Sequence, residues 1–130
     1  MTGPAETAAR FRRAVEARDA DAVVALFAAD AVFNTPSRRE PFEGRDAIRP
    51  IVKIVLGLFG GFHYTDEYGN DEVSVLQFAC RIGDEEAQGV DILRIVDDQV
   101  VEFTVMIRPY AADHALRENM IALLDRPEQE

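Results

Sequence analysis

The stretch GVDILRIVDDQVVEF, residues 89–103, places two runs of aliphatic and β-branched residues on either side of an acidic pause, Asp97-Asp98-Gln99. A pause of that length between such runs reads as a hairpin. The period of two continues outward in both directions, predicting strands near 62–65, 73–82, 87–95 and 100–108. The link Gly83-Asp84-Glu85-Glu86 is also short and acidic, so the last three strands are expected to form an antiparallel meander that Pro109 ends.

Upstream the period lengthens. Pro4 suits the first turn of a helix, and Ala8, Phe11 and Val15 then make one apolar face. Asp19 or Asp21 is placed to cap a second helix with Val23, Val24, Leu26 and Phe27 facing inward, ending before Asp30. Ala31 to Asn34 reads as a brief strand that opens at Thr35-Pro36 into a polar loop reaching Gly44. A third helix starts near Arg45 and carries Ile48, Ile51, Val52, Val55, Leu58 and Phe59, apolar on most sides and therefore buried, with Pro50 expected to kink it. Leu116, Met120, Leu123 and Leu124 give a last amphipathic helix over 111–124, with fraying expected beyond Asp125. Three helices followed by a curved, mostly antiparallel sheet make an α+β layout, in one domain spanning 1–130, and a sheet wrapped around helices leaves a hollow.

The totals narrow the function. With 24 acidic against 14 basic residues the formal charge is −10, which repels a nucleic-acid backbone or an anionic membrane on average. Neither is expected as a partner. Cys80 is the only cysteine, so no intrachain disulfide or cysteine-rich zinc site is available, and a reducing, cytoplasmic setting fits. Residues 1–18 hold no apolar core of signal-peptide length, and the greasiest run, 51–62, is interrupted by Lys53 and three glycines, far short of the roughly 20 residues that span a bilayer.

Asp91 carries the chemistry of the leading strand because it interrupts Val90, Ile92, Leu93 and Ile95. If a tight turn pairs Ile82 with Ala87, Phe78 falls opposite Asp91 and Leu76 opposite Leu93, all on one face. An acid in that setting has its pKa raised and can donate a hydrogen bond near neutral pH; its structural alternative is a pairing with Arg94, Arg81 or a backbone amide. His63 and Tyr64, adjacent on the first long strand, are the other candidates for the hollow or its rim. Cys80 is expected on the Phe78 face as inert packing. His114 and Glu118 share a helix face but find no third ligand in the pattern, and no G-x-S-x-G, P-loop or G-x-G-x-x-G occurs, so neither a metal nor another cofactor is expected.

Three segments together, ARFRRAVEARDADAVVALFAADAVF at 9–33, EPFEGRDAIRPIV at 40–52 and GVDILRIVDDQVVEF, resemble the nuclear transport factor 2-like superfamily. That superfamily includes SnoaL-like polyketide cyclases, ketosteroid isomerases and limonene epoxide hydrolases. The resemblance implies a cone of curved sheet around a deep apolar pocket, paired into a homodimer through the outer sheet face. It places Phe11, Val15, Phe27, Phe33, Phe78, Leu93, Phe103 and Val105 toward the pocket, and Val90, Ile92 and Arg94 toward a second subunit. Asp91 matches the protonated aspartate of ketosteroid isomerases, whereas their tyrosine and base positions are Phe11 and Thr35 here, with Asn34 unable to act as a base. The arginine and second acid of the epoxide hydrolases fall on Gly89 and Val105, and Val105 also stands where the cyclases carry an acid. The resulting expectation is a pocket protein for a small, largely apolar ligand with Asp91 as its polar group. The alternatives are an isomerase, cyclase, dehydratase or hydrolase using Asp91 with His63 or Tyr64, and an accessory dimerisation module with a filled hollow.

Overall fold

A computed structural model of the chain describes residues 3–36 and 38–124, the Leu124 side chain excepted. The fraying expected beyond Asp125 falls outside the described residues. Pro4 opens helix α1 (Pro4–Glu16), which buries Ala8, Phe11 and Val15 as the three- and four-residue spacing requires. Asp19 caps helix α2 (Ala20–Ala25), its carboxylate accepting from the Ala22 amide at 3.1 Å.

The second helix is shorter than its apolar spacing suggests. Phe27 begins strand β1 (Phe27–Asn34), four residues before the expected strand start at Ala31. The cause is tertiary: the Leu26 carbonyl accepts from the Val100 amide at 2.9 Å, and Phe27 pairs with Val100 in strand β6 (Gln99–Arg108). A two-residue strand β2 (Phe42–Glu43) then lies antiparallel to β1 and leads through Gly44 into helix α3 (Arg45–Leu58). Gly44 turns the chain at φ 92°, a left-handed value that favours glycine, and its amide donates to the Ala31 carbonyl at 2.7 Å. The helix runs through Pro50 to Leu58 and buries Ile48, Ile51 and Val52, while Phe59 leaves it for the sheet.

Strands β3 (Phe59–Gly69), β4 (Val73–Ile82), β5 (Glu85–Val96) and β6 form an antiparallel meander, and the six-stranded order is β2-β1-β6-β5-β4-β3. The pair of β1 with β6 is parallel. Between β4 and β5 the turn is only Gly83-Asp84, so Ile82 pairs with Glu85 rather than Ala87. Gly83, at φ 61°, supplies the left-handed backbone that such a short turn requires. This register puts Leu76 opposite Asp91 and Phe78 opposite Gly89, two residues from the expected pairing. A slip of two preserves which face each side chain occupies, so Leu76, Phe78, Asp91 and Leu93 do share the inner face.

Helix α4 (Tyr110–Leu124) follows Pro109 and folds back with Ala112 and Leu116 buried. The architecture is therefore α+β: a curved sheet with the N-terminal helices and the C-terminal helix packed on its inner side. No helix among the described residues is long and apolar enough to cross a membrane.

Candidate functional site

The inner face of the sheet and the helices enclose a hollow whose aromatic wall is built by alternation. Phe33 on β1 and Phe103 on β6 are register partners and stack with ring centroids 4.6 Å apart. Phe11 from α1 meets Phe103 edge-on at 5.3 Å. Val15, Val52, Val55 and Leu56 from α1 and α3 line the helical side, and Leu116 and Met120 from α4 contribute another wall. The hollow leaves a cavity of about 50 Å³.

Asp91 lines this space and is 5% exposed. Apart from Asp91, Thr35 is the polar residue on the lining among the described residues. Removing a carboxylate from water without a compensating cation disfavours its charged form, and burial pushes the Asp91 pKa up to about 7. The Tyr64 hydroxyl donates to Asp91 Oδ2 at 2.7 Å and opposes part of that rise by stabilising the carboxylate. Burial, and then the neighbouring Asp91 charge, in turn hold the Tyr64 hydroxyl well above its ordinary pKa, so it stays a donor. With Oδ2 occupied by that donor, a proton on Asp91 belongs on Oδ1.

The salt-bridge alternative for Asp91 does not form. Arg94 lies on the opposite face of β5, 3.7 Å from Glu72 and 3.6 Å from Glu102. Arg81 packs its guanidinium over the backbone at Gly60 and Gly61.

Of the two candidates on β3, the structure brings Tyr64 to Asp91 and leaves His63 outside. His63 is exposed, its Nδ1 is 3.0 Å from the Gly61 carbonyl, and it lies in a surface groove with Arg81 and Arg108. Adjacent residues of a strand point to opposite faces, so the pair His63 and Tyr64 had room for one member only. Phe11, Val15, Phe33, Phe103 and Val105 line the hollow. Phe27, Phe78 and Leu93 are buried behind its wall instead: Phe27 supports Phe11 and Phe103, and Phe78 stacks on Phe62 at 4.8 Å. Phe59, Phe62 and the α4 residues join the lining without a signal in the sequence that places them there; the spacing of α4 marks an apolar face but not where that face docks. Cys80 is buried on the inner face with its thiol pushed up to about 11, first by desolvation, as inert packing requires.

The solved structures agree with this architecture. An uncharacterised, bacterially conserved protein with a cystatin-like fold from Silicibacter pomeroyi is 31% identical over 95% of this chain and 88% of its own, with a TM-score of 0.89. A steroid delta-isomerase from Pseudomonas aeruginosa is 32% identical over 95% of this chain and 96% of its own, with a TM-score of 0.87. At 11% identity, a nuclear transport factor 2-like protein of unknown function from Cytophaga hutchinsonii shares the fold, with a TM-score of 0.68 over 85% of this chain and 96% of its own. No curated protein matches the sequence. The model of the SnoaL-like domain matches residues 8–103, a span running from the first turns of α1 to the aromatic wall on β6. With that match and the two relatives above 30% identity, the chain belongs to the SnoaL-like domain family and has the nuclear transport factor 2-like fold.

Proposed function

We propose that this protein binds a small, largely apolar molecule in the hollow and fixes one oxygen of that molecule by a hydrogen bond from Asp91. The observation that carries the reading is a buried acid, neutral up to about pH 7, set in a lining that is aliphatic and aromatic apart from Thr35. A neutral acid suits a carbonyl or hydroxyl oxygen and disfavours an anionic ligand. The space suits a compact ligand, on the order of one small ring; a larger one has to displace rim side chains such as Met120 or Phe62.

The test is calorimetry with a cyclic enone and with the matching hydrocarbon, at pH 6 and pH 9. The enone should bind roughly tenfold more tightly at pH 6, the worth of one well-placed hydrogen bond. That preference should disappear in Asp91→Leu and at pH 9. Equal binding of both compounds, unchanged by the substitution, refutes the role given to Asp91. Mass spectrometry of small molecules that copurify with the protein would supply the ligand's identity.

A second reading is supported by the relationship to a steroid delta-isomerase and by a carboxyl poised near neutrality, the range in which proton transfer is efficient. Asp91, ionised in part near neutral pH, would take a proton from the carbon next to the carbonyl and return it to the γ-carbon, moving the double bond into conjugation. Tyr64 would act as a positioning residue. Turnover of a β,γ-unsaturated ketone, followed by the absorbance of the conjugated product, tests this; Asp91→Asn should lower the rate at least ~100-fold. Binding without any turnover leaves the first reading standing alone.

The outer sheet face is proposed as the contact with a second copy of this chain. Val75, Val90 and Ile92 are partly exposed there, and Met106 and Tyr68 are 56% and 57% exposed on the same side. Sedimentation should show a dimer that Met106→Glu together with Val90→Arg converts to monomer. A monomeric parent protein at micromolar concentration refutes it.

A further inference from the structure

Gly89 precedes Asp91 by two residues on the inner face of β5 and lies directly across from Phe78. Its φ is not in the left-handed region, so the torsion by itself does not call for glycine there. Space does. A Cβ at this position would stand 2.5 Å from Phe78 Cζ and 3.0 Å from Cε2, and would also meet the Met106 carbonyl oxygen. The Phe78 ring thus occupies the place where any other residue would carry its side chain.

On its other flank Phe78 is the register partner of Tyr64. Tyr64 belongs to β3 and Asp91 to β5, with β4 between them, so the tyrosine side chain has to cross β4 beside Phe78 to make its 2.7 Å hydrogen bond. The two rings meet edge-on, 6.5 Å apart at 84°. Phe78 is also held by stacks on two rings of β3, Phe62 at 4.8 Å and Phe59 at 6.1 Å, which any movement of its ring disturbs. The ring leans toward β5, over the place that a side chain at residue 89 would take.

We infer that Gly89 is a positioning residue for the Tyr64–Asp91 pair: by carrying no side chain it lets Phe78 lean over β5 and leaves the lane across β4 open for the Tyr64 hydroxyl. The inference deepens the reading of Asp91 as the polar centre of the hollow, but its test uses no ligand, so either can fail without the other.

The experiment is an NMR titration of the Asp91 carboxyl carbon in the parent protein, Gly89→Ala, Tyr64→Phe and the double variant. Because the tyrosine hydrogen bond favours the carboxylate, losing it should raise the midpoint, by on the order of one pH unit. Gly89→Ala should move the midpoint up as Tyr64→Phe does, and should add no further shift when Tyr64 is already phenylalanine. Adding Phe78→Leu to Gly89→Ala should bring the midpoint back toward the parent value. An unmoved midpoint in Gly89→Ala overturns the inference, as does a shift equally large in the Tyr64→Phe background. Should the Met106 carbonyl prevent Gly89→Ala from folding, Phe78→Trp crowds the same lane without adding an atom at residue 89. It should give the same Tyr64-dependent rise, and its absence is equally decisive against the inference.

Discussion

Replacing Asp91 by asparagine should make the protein more stable at alkaline pH, and by an amount that depends on pH in a calculable way. Asparagine keeps an oxygen for the Tyr64 hydroxyl and nearly the same volume, so the main loss is the ionisable proton. In the folded chain Asp91 holds that proton up to about pH 7, against an ordinary value of 3.8. A group whose folded pKa is raised supports the fold fully below its unfolded pKa, and that support is lost as pH rises through the folded value. The whole displacement corresponds to roughly 4 kcal/mol, of which about 2 kcal/mol falls between pH 5.5 and 8.5. Lower pH is impractical because the chain has a pI near 4.6. Urea unfolding of both proteins at the two pH values gives the comparison; the net charge of −10 affects them almost equally and drops out of the difference. Relative to the parent, the asparagine variant should gain about 2 kcal/mol between pH 5.5 and 8.5, or roughly 6–10 °C in Tm. A difference between the two proteins that stays constant across this range refutes the idea that burial keeps Asp91 protonated.

Tyr64→Phe should lower stability by about 1 kcal/mol at pH 8.5, where Asp91 is charged and loses its donor, with a smaller loss at pH 5.5; the same urea titrations read it. Phe103→Ala removes the ring on which Phe11, Phe27 and Phe33 all pack and should cost about 3–5 kcal/mol in chemical denaturation. Asp19→Ala deletes the α2 cap and should cost about 1 kcal/mol, restored largely by asparagine at the same position. Cys80 should resist iodoacetamide at pH 8 in the folded protein and react once urea unfolds it, as followed by intact mass.

The sheet was legible because its strands carry their own periodicity. Alternation along 73–82 and 87–95 is a local property, and with Ile82 paired to Ala87 it assigns Leu76, Phe78, Asp91 and Leu93 to one face, whereas the inward placing of Phe103 comes from the family resemblance. The register of β4 on β5 was not local in that sense. It hinged on whether the turn took two residues or four, and the glutamates at 85 and 86 looked as loop-like as Asp84. Because the observed register differs from the expected one by an even number, the same side chains remain on the inner face. Phe27 shows the opposite case: its spacing from Val23 and Val24 fits a helix, and what draws it into a strand is Val100, 73 positions away. His63 was a matter of parity, with two chemically attractive neighbours and one inward position. The lining from α4 depended on where a helix docks, which spacing cannot state.

The parallel pairing of β1 with β6 bears on how the chain comes to be folded as it is made. The segment from Phe27 to Asn34 completes its hydrogen bonding only when residues 100–104 have been synthesised, so the first third of the molecule emerges with aromatic side chains whose partners do not yet exist. Contacts across so many residues carry a high closure entropy and form late. On the ribosome, the β4–β5 hairpin can assemble as soon as it is free, but β1 must wait for β6 to complete its pairing, and the Phe11 ring for that of Phe103. Shortening the chain within β6 should therefore leave a nascent protein with unsatisfied aromatic surface at its beginning rather than at its end.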